Sequence, residues 1–271
     1  MTLRVAPVEL SDFDTFVSQA SQHAPGDDLT APPNPVAWPV STRAEAELRA
    51  RHCFALQKRR FQEDPTVRFM KVVDDSADEG RGDIVAVARW HYYESGYAYA
   101  REAHWEMAPL AAPGPAAEEG ASDDYPPPNF NVRLYNHILS YRDSFREQWI
   151  PSGKPCWMLM HLVTRPSQRR RGAAGLLLRW GMERSRESGA PAYLESGVQG
   201  KPVYEHFGFV PVGEERRVNL EGLGYVPGGV KEFSLVNMKW TPSSNGVGNG
   251  VVPEPSDAVL HGTGLSTSRA T

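Results

Sequence analysis

A nearly continuous apolar segment, Cys156 to Val163, is the feature that most constrains the fold of this chain. An unbroken apolar run of this length is typical of a strand that is buried on both faces. After the polar stretch TRPSQRRRG, the residues Ala173, Leu177 and Trp180 recur at helical spacing, and Gly189 ends the pattern. The segment therefore predicts a central buried strand, a loop and an amphipathic helix.

The loop before this helix has the composition of an anion site. Small residues at positions 172–175 let a ligand approach the backbone, and the first N–H groups of the helix lie at the positive end of its dipole. A pyrophosphate binds favourably at such a helix start. No Lys-Ser or Lys-Thr pair follows Gly172, and the dinucleotide spacing Gly-x-Gly-x-x-Gly is absent here. The ligand is therefore a phosphate compound outside those two classes.

The remaining sequence supplies further elements of one domain, which we predict to span residues 1–241. The predicted elements are a strand at 3–6, a helix capped by Ser11, a Pro-rich loop at 23–39, a helix from a capping box at Thr42 to Asp64, a hairpin of 66–74 and 84–93, and a helix over 131–149. Residues 94–128 predict a long surface excursion. Residues 242–271 have no hydrophobic periodicity and predict a disordered tail.

Two motifs resemble the Gcn5-related N-acetyltransferase (GNAT) superfamily. Arg169-x-x-Gly172-x-Ala174 is similar to its (Gln/Arg)-x-x-Gly-x-(Gly/Ala) signature, and VYEHFGF at 203–209 resembles its Leu-Tyr-Glu-x-x-Gly-Phe element. The resemblance is close over residues 155–212 and looser outside them. It implies an α/β fold with a mixed, twisted sheet flanked by helices. Two parallel strands, here 156–163 and 192–196, would splay apart and form the cleft for CoA.

The resemblance also implies a cofactor and the residues that bind it. Acetyl-CoA is the expected cosubstrate, and no metal is expected. Its pyrophosphate would lie against the loop and helix start, and its pantetheine arm would bond to the first splayed strand like an added strand. The expected cofactor-binding residues are Leu162, Val163, Thr164, Arg169, Arg170, Arg171, Gly172, Ala173, Ala174 and Gly175.

Three residues are candidates for catalysis. The resemblance assigns Tyr204 as the proton donor to the departing CoA thiolate. The glutamate that some family members carry on the central strand has no clear counterpart between Trp157 and Val163. His161 and Glu195, each at the end of a strand that lines the predicted cleft, are the candidate bases. Water or the substrate itself is the other possibility.

The expected reaction is acetyl transfer to a primary amine by direct attack in a ternary complex. A small-molecule amine is preferred over a protein acceptor because the sequence contains no reader domain and no charged tract suited to a histone-like partner. The alternatives are a protein or peptide N-acetyltransferase, an enzyme for longer acyl chains or alcohols, and a non-catalytic acyl-CoA sensor or scaffold.

Composition disfavours several other classes of protein. A net charge of −4 gives no reason to expect a nucleic-acid partner, so Arg169 to Arg171 fit phosphate positioning better than a nucleic-acid patch or a localisation signal. Only Cys53 and Cys156 are present, which predicts neither a disulfide framework nor a cysteine zinc site. No signal-peptide core or apolar run of about eighteen residues occurs, so we expect a cytoplasmic protein without a membrane partner.

Overall fold

The computed structural model describes residues 3–76, 82–99, 102, 107–108, 126–224, 229 and 231–242. Most of the predicted excursion at 94–128 and nearly all of the predicted tail lie outside these residues. The elements, in chain order, are β1 (Leu3–Pro7), α1 (Asp12–Gln22), α2 (Asn34–Ala37), α3 (Arg43–Glu63), β2 (Val67–Asp74), β3 (Asp83–Tyr93), α4 (Val132–Asp143), β4 (Cys156–Thr164), α5 (Ala173–Ser188), β5 (Ala192–Gly197), α6 (Lys201–His206), β6 (Val210–Pro211), β7 (Arg216–Asn219) and β8 (Glu232–Trp240).

The eight strands of the described residues form one mixed sheet. Its order is β1-β2-β3-β4-β5-β8-β6, and β7 also pairs with β8. The pair β4–β5 is parallel, whereas the other strand pairs are antiparallel, including the predicted hairpin of β2 and β3. Helices flank the sheet, which confirms the predicted fold class.

The parallel strands β4 and β5 stay together for only three residues each. They pair at Trp157 with Ala192, at Met158 with Tyr193 and at Leu159 with Leu194. Beyond these pairs β4 continues to Thr164 beside β3, while β5 continues to Gly197 beside β8. The two strands therefore separate after Leu159 and Leu194, and a cleft opens between them as predicted.

A β-bulge marks the point where β4 leaves β5. Arg89 of β3 is opposite His161 and Trp90 is opposite Leu159, so the register passes over Met160. A bulge of this kind adds one residue to a strand and bends it. The bulge coincides with the point where β4 and β5 stop pairing, so Met160 and His161 are the first residues of β4 beyond the last β4–β5 pair.

The two faces of the sheet pack against different helices. On one face α5 covers a core that includes Trp90, Leu159, Leu177, Leu178 and Leu194. Gly181 of α5 lies so close to the Trp90 ring that an added Cβ would come within 2.2 Å of it. On the other face α1 and α3 pack on β2 and β3 through Phe13, Phe16, Phe54, Phe69 and Val87.

Some local predictions are confirmed by the structure and others differ from it. The capping box at Thr42 is confirmed, because the Thr42 hydroxyl accepts from the Glu45 N–H at 3.2 Å and the Glu45 carboxylate accepts from the Thr42 N–H at 3.0 Å. Ser11 precedes α1 but makes no side-chain cap. The predicted Pro-rich loop contains the short helix α2. No described helix is long and apolar enough to cross a bilayer.

The helix predicted over 131–149 is shorter in the structure. Helix α4 ends at Asp143, and a separate 3-10 turn covers Arg146–Gln148. The change of direction brings the Arg146 side chain into the interior, where it is fully buried. The prediction of a continuous α-helix is wrong for these residues, because a buried ion pair and not helical periodicity determines their position.

Candidate active site

The loop before α5 ends in an open helix start. Gly172 adopts φ +86° at the N-cap, where no side chain caps the helix, and Arg170 has φ +63°. The N–H groups of the first helical turn have no partner within the helix. An added Cβ at Gly172 would have no neighbouring atom within 4 Å. The backbone at this point is accessible, as an anion site requires.

The three arginines of the loop differ in their contacts. Arg169 and Arg170 are exposed and form no ion pair with any described residue. Arg171 lies 2.5 Å from Asp74, at the end of β2, and also donates to Gln168. The hydrogen bonds of the Asp74 carboxylate with Ser76 and with Arg171 lower its pKa to about 2. Arg171 therefore anchors the loop, whereas Arg169 and Arg170 are available to a ligand.

A second anchoring arginine, Arg165, was not predicted from the sequence and fixes the start of the same loop. Arg165 is buried and donates two hydrogen bonds to the Asp83 carboxylate, at 2.6 and 2.9 Å. It also donates to the Ile84 carbonyl at 2.6 Å and lies 2.7 Å from a ring nitrogen of His23. The loop is thus tied to β3 before its direction changes. Nothing in the local sequence distinguishes Arg165 from its neighbours.

The edge of β4 that faces the cleft is formed by Leu162, Val163 and Thr164. Their other edge pairs with β3 as far as Ala86 opposite Thr164. The Leu162 side chain packs toward α5, and the Val163 side chain packs toward the α1 and α3 face. Because β5 has already separated, the backbone of these three residues borders the cleft, where an extended ligand can add to the strand.

Tyr204 lies on α6, just beyond the end of β5. The Gly200 N–H donates to the Gly197 carbonyl at 3.0 Å, so the chain turns directly from β5 into this short helix. The Tyr204 ring is partly buried and meets the Phe209 ring edge-on at 6.1 Å. Burial raises the pKa of Tyr204 to about 12. Its phenol is therefore protonated, and a hydrogen-bond donor, at neutral pH.

His161 lines a small cavity on the α3 side of β4. The imidazole is partly buried at the bulge that begins the cleft. The cavity lies between the loop that follows α1, the middle of α3, and strands β2, β3 and β4. Its walls include Leu29, Ala31, Cys53, Phe54, Val87 and Val163. A base at this position would meet an acceptor that enters from the α1 and α3 face.

Glu195, the other candidate base, is held by arginines. Its two oxygens accept from Arg146, Nε to Oε1 at 2.6 Å and Nη2 to Oε2 at 2.7 Å, and Arg142 Nε lies 3.4 Å from Oε2. Arg146 is fully buried, and it also donates to the Tyr97 hydroxyl and pairs with Asp143 at 3.1 Å. A carboxylate with both oxygens engaged by cations is a poor proton acceptor. These contacts disfavour Glu195 as the base.

A buried polar cluster brings Asp64, His91 and Glu102 together. One ligand atom from each lies within 4.8 Å of the others, which is close enough to hold a metal ion. However, Arg60 contacts Glu102 and has its Nε 3.4 Å from Asp64. A guanidinium thus already supplies the positive charge that these carboxylates require. The cluster is a buried ion-pair network.

The site combines a sheet that opens between two parallel strands with an uncapped helix start behind an arginine-rich loop. These features define a class of protein that binds a phosphate compound with an extended arm. The profile of the acetyltransferase (GNAT) family matches residues 39–209, well over half of the chain, and the protein belongs to this family. It is an acetyl-CoA-dependent N-acetyltransferase. This assignment confirms the resemblance that the loop and Tyr204 motifs indicated.

Solved structures of similar fold have low sequence identity. NAA60 of Arabidopsis thaliana with a bisubstrate analogue is 13% identical, with a TM-score of 0.46 over 90% of this chain and 100% of that one. A Drosophila melanogaster polyamine N-acetyltransferase is 17% identical, with a TM-score of 0.44 over 89% of this chain and 100% of that one. The mosquito protein "arylalkylamine N-acetyltransferase like 5b" is 13% identical, with a TM-score of 0.48 over 89% of this chain and 100% of that one. A comparison with curated proteins found no match.

Proposed function

We propose that the protein transfers the acetyl group of acetyl-CoA directly to a small-molecule primary amine, with both substrates bound in the cleft between β4 and β5. The observation that carries this proposal is the separation of the two strands after Leu159 and Leu194. An open helix start with two exposed arginines lies at the end of β4, and a small cavity lined by His161 lies beside it.

The cofactor would follow the cleft from the helix start toward the bulge. The N–H groups of Ala173, Ala174 and Gly175 would bind the pyrophosphate, with Arg169 and Arg170 neutralising its charge. The pantetheine amides would pair with the β4 backbone at residues 162–164. The thioester would then lie where the strands separate, near the position of His161.

The chemistry requires a neutral amine and a stabilised thiolate. An amine with a pKa of about 10.4 is unprotonated in roughly one molecule in 2,500 at pH 7, so a base at the cavity mouth increases the reactive fraction. We assign this role to His161. The amine nitrogen bonds to the thioester carbon, the carbon–sulfur bond breaks, and the base takes the proton that the nitrogen loses.

Tyr204 would stabilise the departing thiolate. A thiol has a pKa of about 8.5, so a phenol whose pKa is about 12 does not give up its proton completely. The phenol instead donates a hydrogen bond to the sulfur anion, and solvent then protonates the CoA. The role of Tyr204 is therefore electrostatic: it stabilises the thiolate by a hydrogen bond.

Calorimetric titration with acetyl-CoA, followed by measurement of thiol release with a series of primary amines, tests this function. Binding at micromolar concentrations and amine-dependent release are expected. Binding without release for any small amine, together with release for peptides, would instead indicate a protein or peptide acceptor. Binding without release for any acceptor would indicate a sensor or scaffold.

Replacing Tyr204 by Phe should lower kcat about 100-fold and leave the Kd for acetyl-CoA unchanged, because a hydrogen-bond donor to a developing anion contributes about that factor. The Phe ring keeps the packing against Phe209. Since the pKa of Tyr204 is raised to about 12, the wild-type enzyme should show no alkaline decline from this residue below about pH 11. Wild-type turnover in Tyr204→Phe would remove this role.

Replacing His161 by Ala should lower kcat/KM about tenfold at pH 7 and flatten the acid limb of the pH profile, since a histidine base loses activity when it becomes protonated. At high pH, where more of the amine is neutral, the two enzymes should become similar. His161→Gln, which keeps most of the volume, is the matched control for packing. An unchanged pH profile in both variants would assign deprotonation to water or substrate.

A further inference from the structure

The segment that follows α1, residues 23–31, contacts the loop between β4 and α5. The Asp27 carboxylate accepts from the Ser167 N–H at 2.8 Å, although the two residues lie 140 positions apart in the chain. His23 Nε2 lies 2.7 Å from Arg165 Nη1, and because a guanidinium only donates, the imidazole accepts this hydrogen bond. Two contacts therefore join the segment to the loop that precedes the proposed pyrophosphate site.

A tight turn places Asp27 beside the loop. The sequence there is Ala24-Pro25-Gly26-Asp27, with proline at the second position and glycine at the third. Gly26 has φ +82°, a conformation that glycine adopts without strain, and the Asp27 N–H donates to the Ala24 carbonyl at 2.9 Å. This combination is typical of a type II turn. The position of Asp27 relative to α1 thus follows from the local sequence.

The segment is anchored on both sides of this turn. Before the turn, His23 bonds to Arg165, which is 1% exposed. After the turn, Asp28 lies 2.6 Å from Arg49 of α3, and both side chains are 2% exposed. Hydrogen bonds with a charged partner are stronger than neutral ones. Asp27 therefore has a defined position between two buried contacts, from which it can hold the loop.

Asp27 supplies a cap that the loop itself lacks. A 3-10 turn covers Pro166–Gln168, and its first residue is a proline without an N–H. The next N–H, that of Ser167, has no acceptor inside so short a helix, and the N-cap residue makes no side-chain cap. The Asp27 oxygen is its acceptor. Because this turn leads directly to Arg169 and Arg170, its orientation determines where the arginine part of the loop begins.

The charge of Asp27 and its hydrogen bond have opposite effects on an anionic ligand. A carboxylate close to the loop repels a pyrophosphate, so the charge alone weakens binding. The hydrogen bond strengthens binding because it keeps the loop in one arrangement. When a loop is competent to bind for only a fraction of the time, the apparent Kd increases in inverse proportion to that fraction. Removing the carboxylate therefore distinguishes the two effects by the sign of the change.

We propose that Asp27 is a positioning residue for acetyl-CoA. It holds the turn Pro166–Gln168, and with it Arg169 and Arg170, in the arrangement that binds the pyrophosphate. His23 acts through Asp27, because it anchors the segment that carries the carboxylate. This inference rests on the proposed function, which places the pyrophosphate at this loop. It adds to the cofactor site two residues from the connection between α1 and α2.

Two substitutions of Asp27 test this role by calorimetric titration with acetyl-CoA. Asp27→Ala removes the acceptor oxygen and should raise the Kd about tenfold, the effect of a lost helix cap. Asp27→Asn keeps an acceptor oxygen without the charge, so it should bind at least as tightly as the wild type. Asp14→Ala, which removes an exposed carboxylate of α1, is the matched control and should leave the Kd unchanged.

Activity and stability measurements separate positioning from a general structural role. In Asp27→Ala the KM for acetyl-CoA should rise with the Kd, whereas kcat at saturating acetyl-CoA should stay the same. The urea midpoint should change little, because the contact with Ser167 is exposed. Unchanged or tighter binding by Asp27→Ala overturns the inference. Equal weakening in Asp27→Ala and Asp27→Asn also contradicts it, since the charge and not the hydrogen bond would then be required.

A double-mutant cycle tests the anchor. His23→Ala should raise the Kd about threefold, the effect of one hydrogen bond, and His23→Gln should restore binding because its amide oxygen can accept from Arg165. In Asp27→Ala the further change His23→Ala should have no added effect, because His23 acts only through Asp27. Fully additive effects, or wild-type binding by His23→Ala, would remove His23 from the proposal. Should Asp27→Ala not fold, the two His23 variants decide alone.

The failure of this inference is distinct from failure of the proposed site. If Gly172→Glu abolishes acetyl-CoA binding and Asp27→Ala has no effect, the pyrophosphate binds at the loop and only the positioning role is wrong. If acetyl-CoA binds the wild type and neither substitution changes the Kd, the pyrophosphate does not bind at this loop, and the proposed site and this inference are both wrong.

Discussion

Gly172→Glu should weaken acetyl-CoA binding about 1000-fold. A carboxylate at this position would lie at the helix start, where the pyrophosphate is proposed to bind. Two like charges about 4 Å apart repel by about 4 kcal/mol at an effective dielectric constant of 20, which corresponds to about three powers of ten in Kd. Calorimetric titration of the two proteins with acetyl-CoA measures this difference directly.

Two control variants separate charge from backbone strain. Gly172 has φ +86°, which costs an ordinary residue about 1 kcal/mol, whereas asparagine tolerates this region better. Gly172→Gln has nearly the same volume as Gly172→Glu without its charge, and it should lose much less affinity. Gly172→Asn should lose least. An added Cβ has no neighbour within 4 Å, so all three variants should fold. Equal losses for the Gln and Glu variants would attribute the effect to bulk or strain.

The elements that the sequence predicts well are those determined by neighbouring residues. The capping box at Thr42 needs only Glu45, and the apolar run at 156–163 with the helical spacing after Gly172 is readable within about thirty residues. The proposed anion site rests on the same stretch, because small residues and a helix start are local features. Its arginines were predicted as one group, and only the structure separates Arg171 from Arg169 and Arg170.

Long-range contacts explain what the sequence could not show. The bulge at Met160 depends on the register between β3 and β4, which no local pattern of β4 contains. Arg165 pairs with Asp83. Arg146 pairs with Glu195, which lies 49 positions further along the chain. The same limit applies to Glu195: its predicted position at the end of a strand suggested a base, but β5 continues to Gly197 and the partner of Glu195 comes from the turn after α4.

The second large effect is expected at this buried ion pair. Replacing Arg146 by Met should lower the free energy of unfolding by about 3–5 kcal/mol, because it leaves the Glu195 carboxylate, 6% exposed, with Arg142 as its remaining cation among the described residues. Urea unfolding at pH 7 measures the change. The exposed pair of Arg184 and Glu187, at 2.5 Å and 42% and 58% exposed, is the matched control. Arg184→Met should cost less than about 1 kcal/mol.

A double-mutant cycle shows whether the loss comes from the pair itself. Removing both charges in Arg146→Met with Glu195→Leu eliminates the unpaired carboxylate, so the double variant should be more stable than Arg146→Met by about 2 kcal/mol or more. Additive losses would mean that each side chain acts through other contacts, such as Tyr97 or Asp143.

The same double variant also distinguishes the two candidate bases. If Glu195 only positions β5 through its ion pair, turnover should follow the recovered stability, and its pH profile should still depend on His161. A double variant that is stable but inactive, with acetyl-CoA binding intact, would return the role of base to Glu195. The two roles predict opposite orders of activity. If Glu195 acts through stability, the double variant should be more active than Arg146→Met; if Glu195 accepts the proton, the double variant should be less active.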